Sequence, residues 1–116
     1  MTEPENPVVP VSWLSLAEIV DLVGEPLGRV RRLLDENHFI GSRRHGALRV
    51  PDVFFLDGEP LSSLRGTITV LHDAGFDDDE AIDWLLNADD TIGVAPIDAL
   101  RAGRKSEVRR VAQTLA

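Results

Sequence analysis

Several residue types and patterns are missing from this chain of 116 residues, and each absence narrows the range of functions. It has no cysteine, which excludes disulfides and thiolate metal sites. No apolar run approaches the roughly 20 residues needed to cross a bilayer. The polar, proline-rich stretch over residues 1–10 offers nothing that could act as a signal peptide. The sequence therefore predicts a cytoplasmic protein with no membrane partner.

Patterns of catalysis and metal binding are missing as well. The histidines (His38, His45 and His72) and the serines form no nucleophile motif, and no glycine-rich phosphate loop follows a strand. The four acids at residues 77–80 lack the alternating ligands and central glycine of a calcium loop. They fit an N-cap and first helical turn better, because carboxylates there complement the helix dipole. We predict a protein that is not an enzyme and holds no cofactor or metal.

Positive charge is scarce, with 12 lysines and arginines against 20 acids and a net charge of −8. Half of the basic residues fall within residues 26–50, where six arginines face only Asp35 and Glu36, a local charge of +4. A smaller basic island lies in residues 91–116, after an acidic block at residues 52–90. An acidic protein that concentrates arginine in one segment is expected to meet an anionic partner there.

Two short helices joined by a tight turn are predicted around the start of the basic segment. Ser15 is a good N-cap with Glu18 three residues later, and Gly24 is placed to end the first helix. Pro26 then suits the first position of a second helix, predicted over residues 26–36. Its expected inner face consists of Leu27, Val30, Leu33 and Leu34. The pattern fits a helix-turn-helix, and it also fits an ordinary helical hairpin with solvated charges.

A basic hairpin follows the second helix and favours DNA binding. Residues 39–41 and 47–50 are predicted as two short strands, joined by a basic tip at residues 42–46. Such a hairpin is a wing, which reaches the DNA backbone or minor groove while the recognition helix lies in the major groove. Base contacts are predicted from Arg29 and Arg32. Contacts to the DNA backbone are predicted for Arg31 of the helix. The same contacts are predicted for five residues of the wing at residues 42–49: Ser42, Arg43, Arg44, His45 and Arg49.

The second half of the chain is predicted to be helical. Phe54 and Phe55 are expected in the core, because a platform for stacking bases would lie beside positive charge and this segment is acidic. Helices are predicted over residues 61–74, 79–87 and 96–100, and from Ser106 as an N-cap onward. The last helix also carries the second basic island, Arg104, Lys105, Arg109 and Arg110. We expect this island to be a solvated outer face in preference to a second DNA contact.

These elements predict a mainly α protein: a winged helix-turn-helix with a short β-hairpin wing, and a small helical C-terminal module. The expected boundaries are a flexible N-terminal arm at residues 1–11, a DNA-binding domain at 12–56, and the helical module packed on it at 57–116. Thr2 in the arm is a candidate phosphorylation site, since it is the one hydroxyl residue before Ser12.

The chain also resembles a known family. Residues 16–26, Leu-Ala-Glu-Ile-Val-Asp-Leu-Val-Gly-Glu-Pro, with residues 30–34, are similar to the winged helix-turn-helix of excisionase-like and MerR-like DNA binders. Residues 43–55, 69–76 and 81–86 resemble, more specifically, an actinobacterial family of DNA-binding proteins typified by a mycobacterial substrate of a membrane serine/threonine kinase. The resemblance implies a winged helix followed by a small helical C-terminal domain, double-stranded DNA as a partner, and a serine/threonine kinase as a second partner. We expect a role in transcription regulation and a place at the nucleoid.

Two other functions stay open. Residues 92–103 are similar to the toxin-binding end of certain bacterial antitoxins, so the C-terminal helices could instead bind a protein or pair two copies in a homodimer. An excisionase-like architectural protein that bends DNA is the other alternative. Salt-dependent binding to a duplex distinguishes the first alternative from DNA regulation, and a bend assay distinguishes the second.

Overall fold

The computed structural model describes residues 9–115, so the candidate phosphorylation site at Thr2 lies outside the described residues. The helices in this part of the chain are α1 (Leu16–Val23), α2 (Leu27–Asp35), α3 (Leu64–Asp73), α4 (Asp78–Leu86), α5 (Pro96–Arg101) and α6 (Lys105–Gln113). Four two-residue strands accompany them: β1 (Trp13–Leu14), β2 (Val50–Pro51), β3 (Phe55–Leu56) and β4 (Glu59–Pro60). The mainly α prediction is confirmed.

The first helix has the ends that the sequence predicts. The Ser15 hydroxyl accepts from the Glu18 amide at 3.1 Å, and the Glu18 carboxylate accepts from the Ser15 amide at 2.9 Å. Gly24 ends α1 with φ of 71°, a left-handed conformation that glycine adopts without a Cβ clash. Because only Glu25 and Pro26 separate Gly24 from α2, the two helices turn sharply and pack against each other.

The second helix differs from its prediction at its first turn. Pro26 is the N-cap rather than the first helical residue. Val30 and Leu33 are buried as expected, but Leu27 is 45% exposed, so its assignment to the inner face was wrong. At about 100° per residue, Leu27 lies about 90° from the midline between Val30 and Leu33, which places it at the edge of the packed face.

The wing is a loop closed by one bridge rather than two full strands. Ser42 and Arg49 exchange both backbone hydrogen bonds at 2.9 Å, and Gly46 turns the loop with φ of 95°. The strand predicted at residues 39–41 was wrong, since these residues form no strand pairing; Phe39 and Ile40 are instead both fully buried in the core. The returning chain pairs instead through β2 with β1, in an antiparallel register that places Val50 opposite Leu14.

Three of the C-terminal helices begin at positions shifted from the predicted ones, whereas α5 begins at Pro96 as predicted. Helix α3 starts at Leu64 instead of residue 61. Asp77 caps α4 through a reciprocal pair of hydrogen bonds with Glu80, so the interpretation of the four acids as a helix start is confirmed. Ser106 does not cap the last helix, because Arg104 occupies that position and Ser106 lies in the first turn of α6.

A single core joins the two halves of the chain. Phe54, in a 3₁₀ turn at Asp52–Phe54, is fully buried together with residues of α1, α3, α4 and α5. Arg101 at the end of α5 donates to the carbonyls of Val53 and Phe55. Val9, in the segment expected to be a flexible arm, packs against the core and donates its amide to the Leu86 carbonyl at 2.9 Å.

The second basic island is only partly solvated. Arg109 was expected on the outer side of α6, but its guanidinium lies over Gly66 and donates to the Ser63 carbonyl at 3.2 Å. Arg109 can lie there because Gly66 has no side chain, since a methyl group at that position would overlap the guanidinium. Arg104 forms two hydrogen bonds with Glu107, at 2.8 and 2.9 Å.

None of the helices between residues 9 and 115 has both the length and the apolarity that crossing a membrane requires.

Candidate nucleic-acid interface

The arginines of α2 lie at different angles on the helix surface. Measured from the buried midline between Val30 and Leu33, Arg31 and Arg32 lie about 130° to either side, on the outward face. Arg29 lies only about 70° from that midline, on the same side as Arg32. All three arginines are exposed. Arg31 and Arg32 therefore project away from the core, whereas Arg29 occupies one flank of the helix.

Two grooves on opposite flanks of α2 separate these arginines further. On the wing side, Arg31 and Arg43 line one groove of about 500 Å³, which Leu34, Asp35 and Leu48 line as well. On the other side, Arg29 lines a groove of about 520 Å³ together with Arg65 of α3. The helix therefore forms a ridge between two grooves, each with an arginine from α2 and an arginine from a neighbouring segment.

The wing tip is fastened to the rest of the molecule. Arg44 donates to the carboxylates of Asp83 at 2.8 Å and Asp79 at 3.2 Å, both on α4. Its guanidinium also lies over the Trp13 ring, 5.2 Å from the centroid. The His45 ring meets Trp13 edge-on with centroids 4.8 Å apart. We call the contacts of Arg44 with Asp79 and Asp83 the wing clasp.

Hydrogen bonds and nearby arginines lower the pKa of two carboxylates near the wing, those of Asp79 and Glu18. The Ser42 hydroxyl and the Arg44 guanidinium hold the pKa of Asp79 below its ordinary value of 3.8. On α1, the Ser15 amide and hydroxyl, with Arg49 beyond them, lower the pKa of Glu18. Folding lowers the pKa of Asp79. The stability that its ionised carboxylate contributes is therefore fully present above its ordinary pKa of 3.8, and it is lost as the pH falls through the lowered pKa. The Asp79 carboxylate is therefore fully charged at neutral pH, where it accepts from Arg44.

The remaining candidate residues of the wing are placed as follows. Ser42 is buried, and its hydroxyl accepts from the Arg44 amide and Nε, both at 3.0 Å, so it shapes the loop. Arg43 is exposed at the tip. Arg49 is half-buried, with its guanidinium 3.5 Å from the Glu18 carboxylate. The structure thus brings Arg31 and Arg43 together, while it turns Arg44 towards the acidic helix.

The wing clasp predicts a measurable coupling between Arg44 and Asp83. In a double-mutant cycle with Arg44→Gln and Asp83→Asn, we expect about 0.5–1 kcal/mol of coupling in the free energy of unfolding, because the two side chains are 32% and 59% exposed and partly screened by solvent. Urea unfolding at neutral pH measures it. The matched control replaces Arg43, an exposed neighbour, in the same cycle and should show no coupling. Equal coupling for Arg43 and Arg44 would contradict the wing clasp.

Both halves of the chain match models of one protein family. Residues 6–55 match the model described as "DNA-binding protein Rv2175c, wHTH domain". Residues 61–116 match the model described as "Rv2175c C-terminal domain of unknown function". The chain belongs to the Rv2175c family. The winged helix-turn-helix predicted from the sequence is confirmed by this match, and the resemblance to an actinobacterial family is confirmed with it.

A curated relative and a solved structure of the Rv2175c family support the assignment along nearly the whole chain. The DNA-binding protein Rv2175c of Mycobacterium tuberculosis is 33% identical over 127 aligned positions, which cover 98% of this chain and 84% of that protein. The NMR structure of Rv2175c superimposes with a TM-score of 0.79 at 33% identity, covering 99% of this chain and 84% of that one. The fold is therefore shared as a whole, including the C-terminal helices.

Sequence reasoning missed the roles of four side chains around the wing and α2. Trp13, Asp79 and Asp83 fix the wing tip, and Arg65 lines the groove beside Arg29. No local pattern marks them, because each acts on a residue at least 30 positions away or on a neighbouring element.

Within residues 9–115, no three histidine, aspartate or glutamate side chains are grouped so that they could hold a metal ion.

Proposed function

We propose that this protein binds double-stranded DNA through α2 and the wing, and that it regulates transcription. The observation that carries the proposal is the groove on the wing side of α2, which Arg31 of the helix and Arg43 of the wing tip both line on a protein of net charge −8. The relative Rv2175c is named a DNA-binding protein, which supports the same partner here. A short helix with outward arginines beside a basic loop matches the way winged helices meet a duplex.

The proposed contacts follow the angles on α2. Arg32 lies on the outward face beside the exposed Gly28, so we assign it to base edges in the major groove. Arg31 and Arg43, with Arg49 and His45 nearby, are assigned to the phosphates on the wing side. Arg44 is assigned a positioning role, because its guanidinium is already paired with two carboxylates. Ser42 supports the loop that presents Arg43.

The test is the salt dependence of duplex binding by the full chain. A fluorescein-labelled duplex of mixed sequence is titrated with protein by fluorescence anisotropy at several salt concentrations. Each phosphate contact adds about 0.9 to the slope of log affinity against log salt. The double substitution Arg31→Gln and Arg43→Gln should therefore lower the slope by about 2, because both guanidinium groups line the proposed backbone contact.

The matched control removes the same two charges from the solvated part of α6, through Lys105→Gln and Arg110→Gln, and should leave the slope nearly unchanged. If the natural chain shows no salt-dependent duplex binding, the DNA proposal fails and an adaptor role through the C-terminal helices takes its place. If it binds but bends the duplex strongly in a circular-permutation assay, an architectural role is favoured over simple regulation.

A further inference from the structure

We propose that Arg65, in the segment that matches a domain of unknown function, contacts the DNA phosphate strand on the side of α2 opposite the wing. This inference rests on the proposed function, since it requires α2 to lie in the major groove. It gives the C-terminal segment a direct part in binding. It also changes the contact that we assign to Arg29, from the base edges predicted from the sequence to the phosphates of that same DNA strand.

The position of Arg65 is fixed by the recognition helix itself. Its Nε donates to the carbonyl of Glu36, the residue that ends α2, at 2.9 Å. Among residues 9–115, the two Nη groups of Arg65 have no hydrogen-bond partner, and the residue is exposed. One edge of the guanidinium is therefore anchored at the C-terminal end of the recognition helix, and the other edge is available to an anion. A side chain already held in place loses little rotamer entropy when it binds.

The groove between Arg65 and Arg29 lies where the second phosphate strand would run. An α-helix with its side chains is about 10–12 Å across, and the major groove of B-DNA is about 12 Å wide. A helix that fills the groove therefore has one backbone strand at each flank. Arg31 and Arg43 face the strand on the wing side, and Arg29 with Arg65 face the strand on the other side.

The acids in this groove limit what it can bind. Glu25 and Glu59 also line it, as do His38 and Leu33. The two carboxylates offset the two guanidinium groups, so the groove does not attract anions from a distance. Binding there requires a direct contact, and the free edge of Arg65 fits the geometry of a phosphate held by two parallel hydrogen bonds. A single backbone phosphate is the occupant that this chemistry favours.

The first experiment measures the salt slope of Arg65→Gln with the mixed-sequence duplex and the full chain. We expect the slope to fall by about 1, so that the loss of affinity between 50 and 200 mM salt becomes about 3.5-fold smaller than for the natural chain. The matched control is Gln113→Glu, which changes the net charge equally but lies beside Val70 and Asp73 at the far end of α3. Its slope should not change. Arg65→Lys should keep the natural slope, because the charge remains.

A second variant avoids the hydrogen bond that Arg65 makes to α2. Ser62 is exposed and lines the same groove, so Ser62→Lys adds a cation there without removing any contact. The slope should rise by about 1, while Gln113→Lys leaves it unchanged. An unchanged slope in both Arg65→Gln and Ser62→Lys would overturn the inference and leave Arg65 as a support for α2.

The two proposals fail in different ways. If the Arg31 and Arg43 substitutions lower the slope but Arg65→Gln and Ser62→Lys both leave it unchanged, DNA binding stands and the Arg65 contact is refuted. If the natural chain shows no salt-dependent duplex binding, both proposals are refuted together. Thermal unfolding of each variant in the absence of DNA checks that the fold is intact, so a change in slope reports a lost or gained contact.

Discussion

Replacing Phe54 by alanine is expected to lower the free energy of unfolding by about 3–5 kcal/mol, since a fully buried aromatic side chain is removed from a packed core. Phe54 lies at the junction between the two family-matched segments and belongs to the core shared by both. Its loss should therefore destabilise the winged helix and the C-terminal helices together. Urea unfolding followed by tryptophan fluorescence measures the change.

The chain carries two tryptophans that report on the two segments separately. Trp13 lies in β1 beside the wing, and Trp84 lies in α4. In Trp84→Phe and Trp13→Phe backgrounds, the two reporters should show coincident transitions, and Phe54→Ala should shift both equally. Val53→Ala, at a half-buried neighbour, serves as the control and should cost about 1 kcal/mol or less. A Trp84 transition that Phe54→Ala leaves in place would show that the two segments are independent.

Replacing Arg32 by alanine is expected to cost about 1–3 kcal/mol of binding to the preferred DNA sequence, a loss of about 5- to 150-fold in affinity. Arg32 projects from the outward face of α2, with Gly28 beside it offering no side chain to keep the helix from the base edges. The loss should flatten the preference between sequences. The measurement compares a duplex selected from a random pool with a mixed-sequence duplex, for the natural chain and the variant.

Arg29→Ala is the matched comparison for Arg32, because it removes the same charge from the same helix. Arg29 lies on the flank beside Arg65, so its loss should weaken both duplexes by similar factors and leave the preference intact. The sequence by itself predicted base contacts from both arginines, and this pair of variants separates the two assignments. A loss of preference on removing Arg29, with preference kept on removing Arg32, would reverse our placement of α2 in the groove.

Local chemistry in the sequence was enough to predict much of the architecture. Ser15 with Glu18, and Gly24, define the ends of α1 because capping and left-handed termini depend on residues a few positions apart. The acids at residues 77–80 define the start of α4 for the same reason. Helical spacing placed Val30 and Leu33 in the core, and the clustering of arginines marked the segment that meets DNA in our proposal.

Only the tertiary structure decided what each basic residue does. The sequence around Arg44, Arg65 and Arg109 does not show which groups their guanidinium groups meet. In the fold, Arg44 pairs with α4, Arg65 meets the end of α2, and Arg109 covers Gly66. A guanidinium on a long, flexible stem takes its role from the acceptors within its reach, and those acceptors lie tens of residues away along the chain. Capping residues act on their own helix, so the local sequence predicts them. The partners of an arginine come within its reach only once the helices have packed.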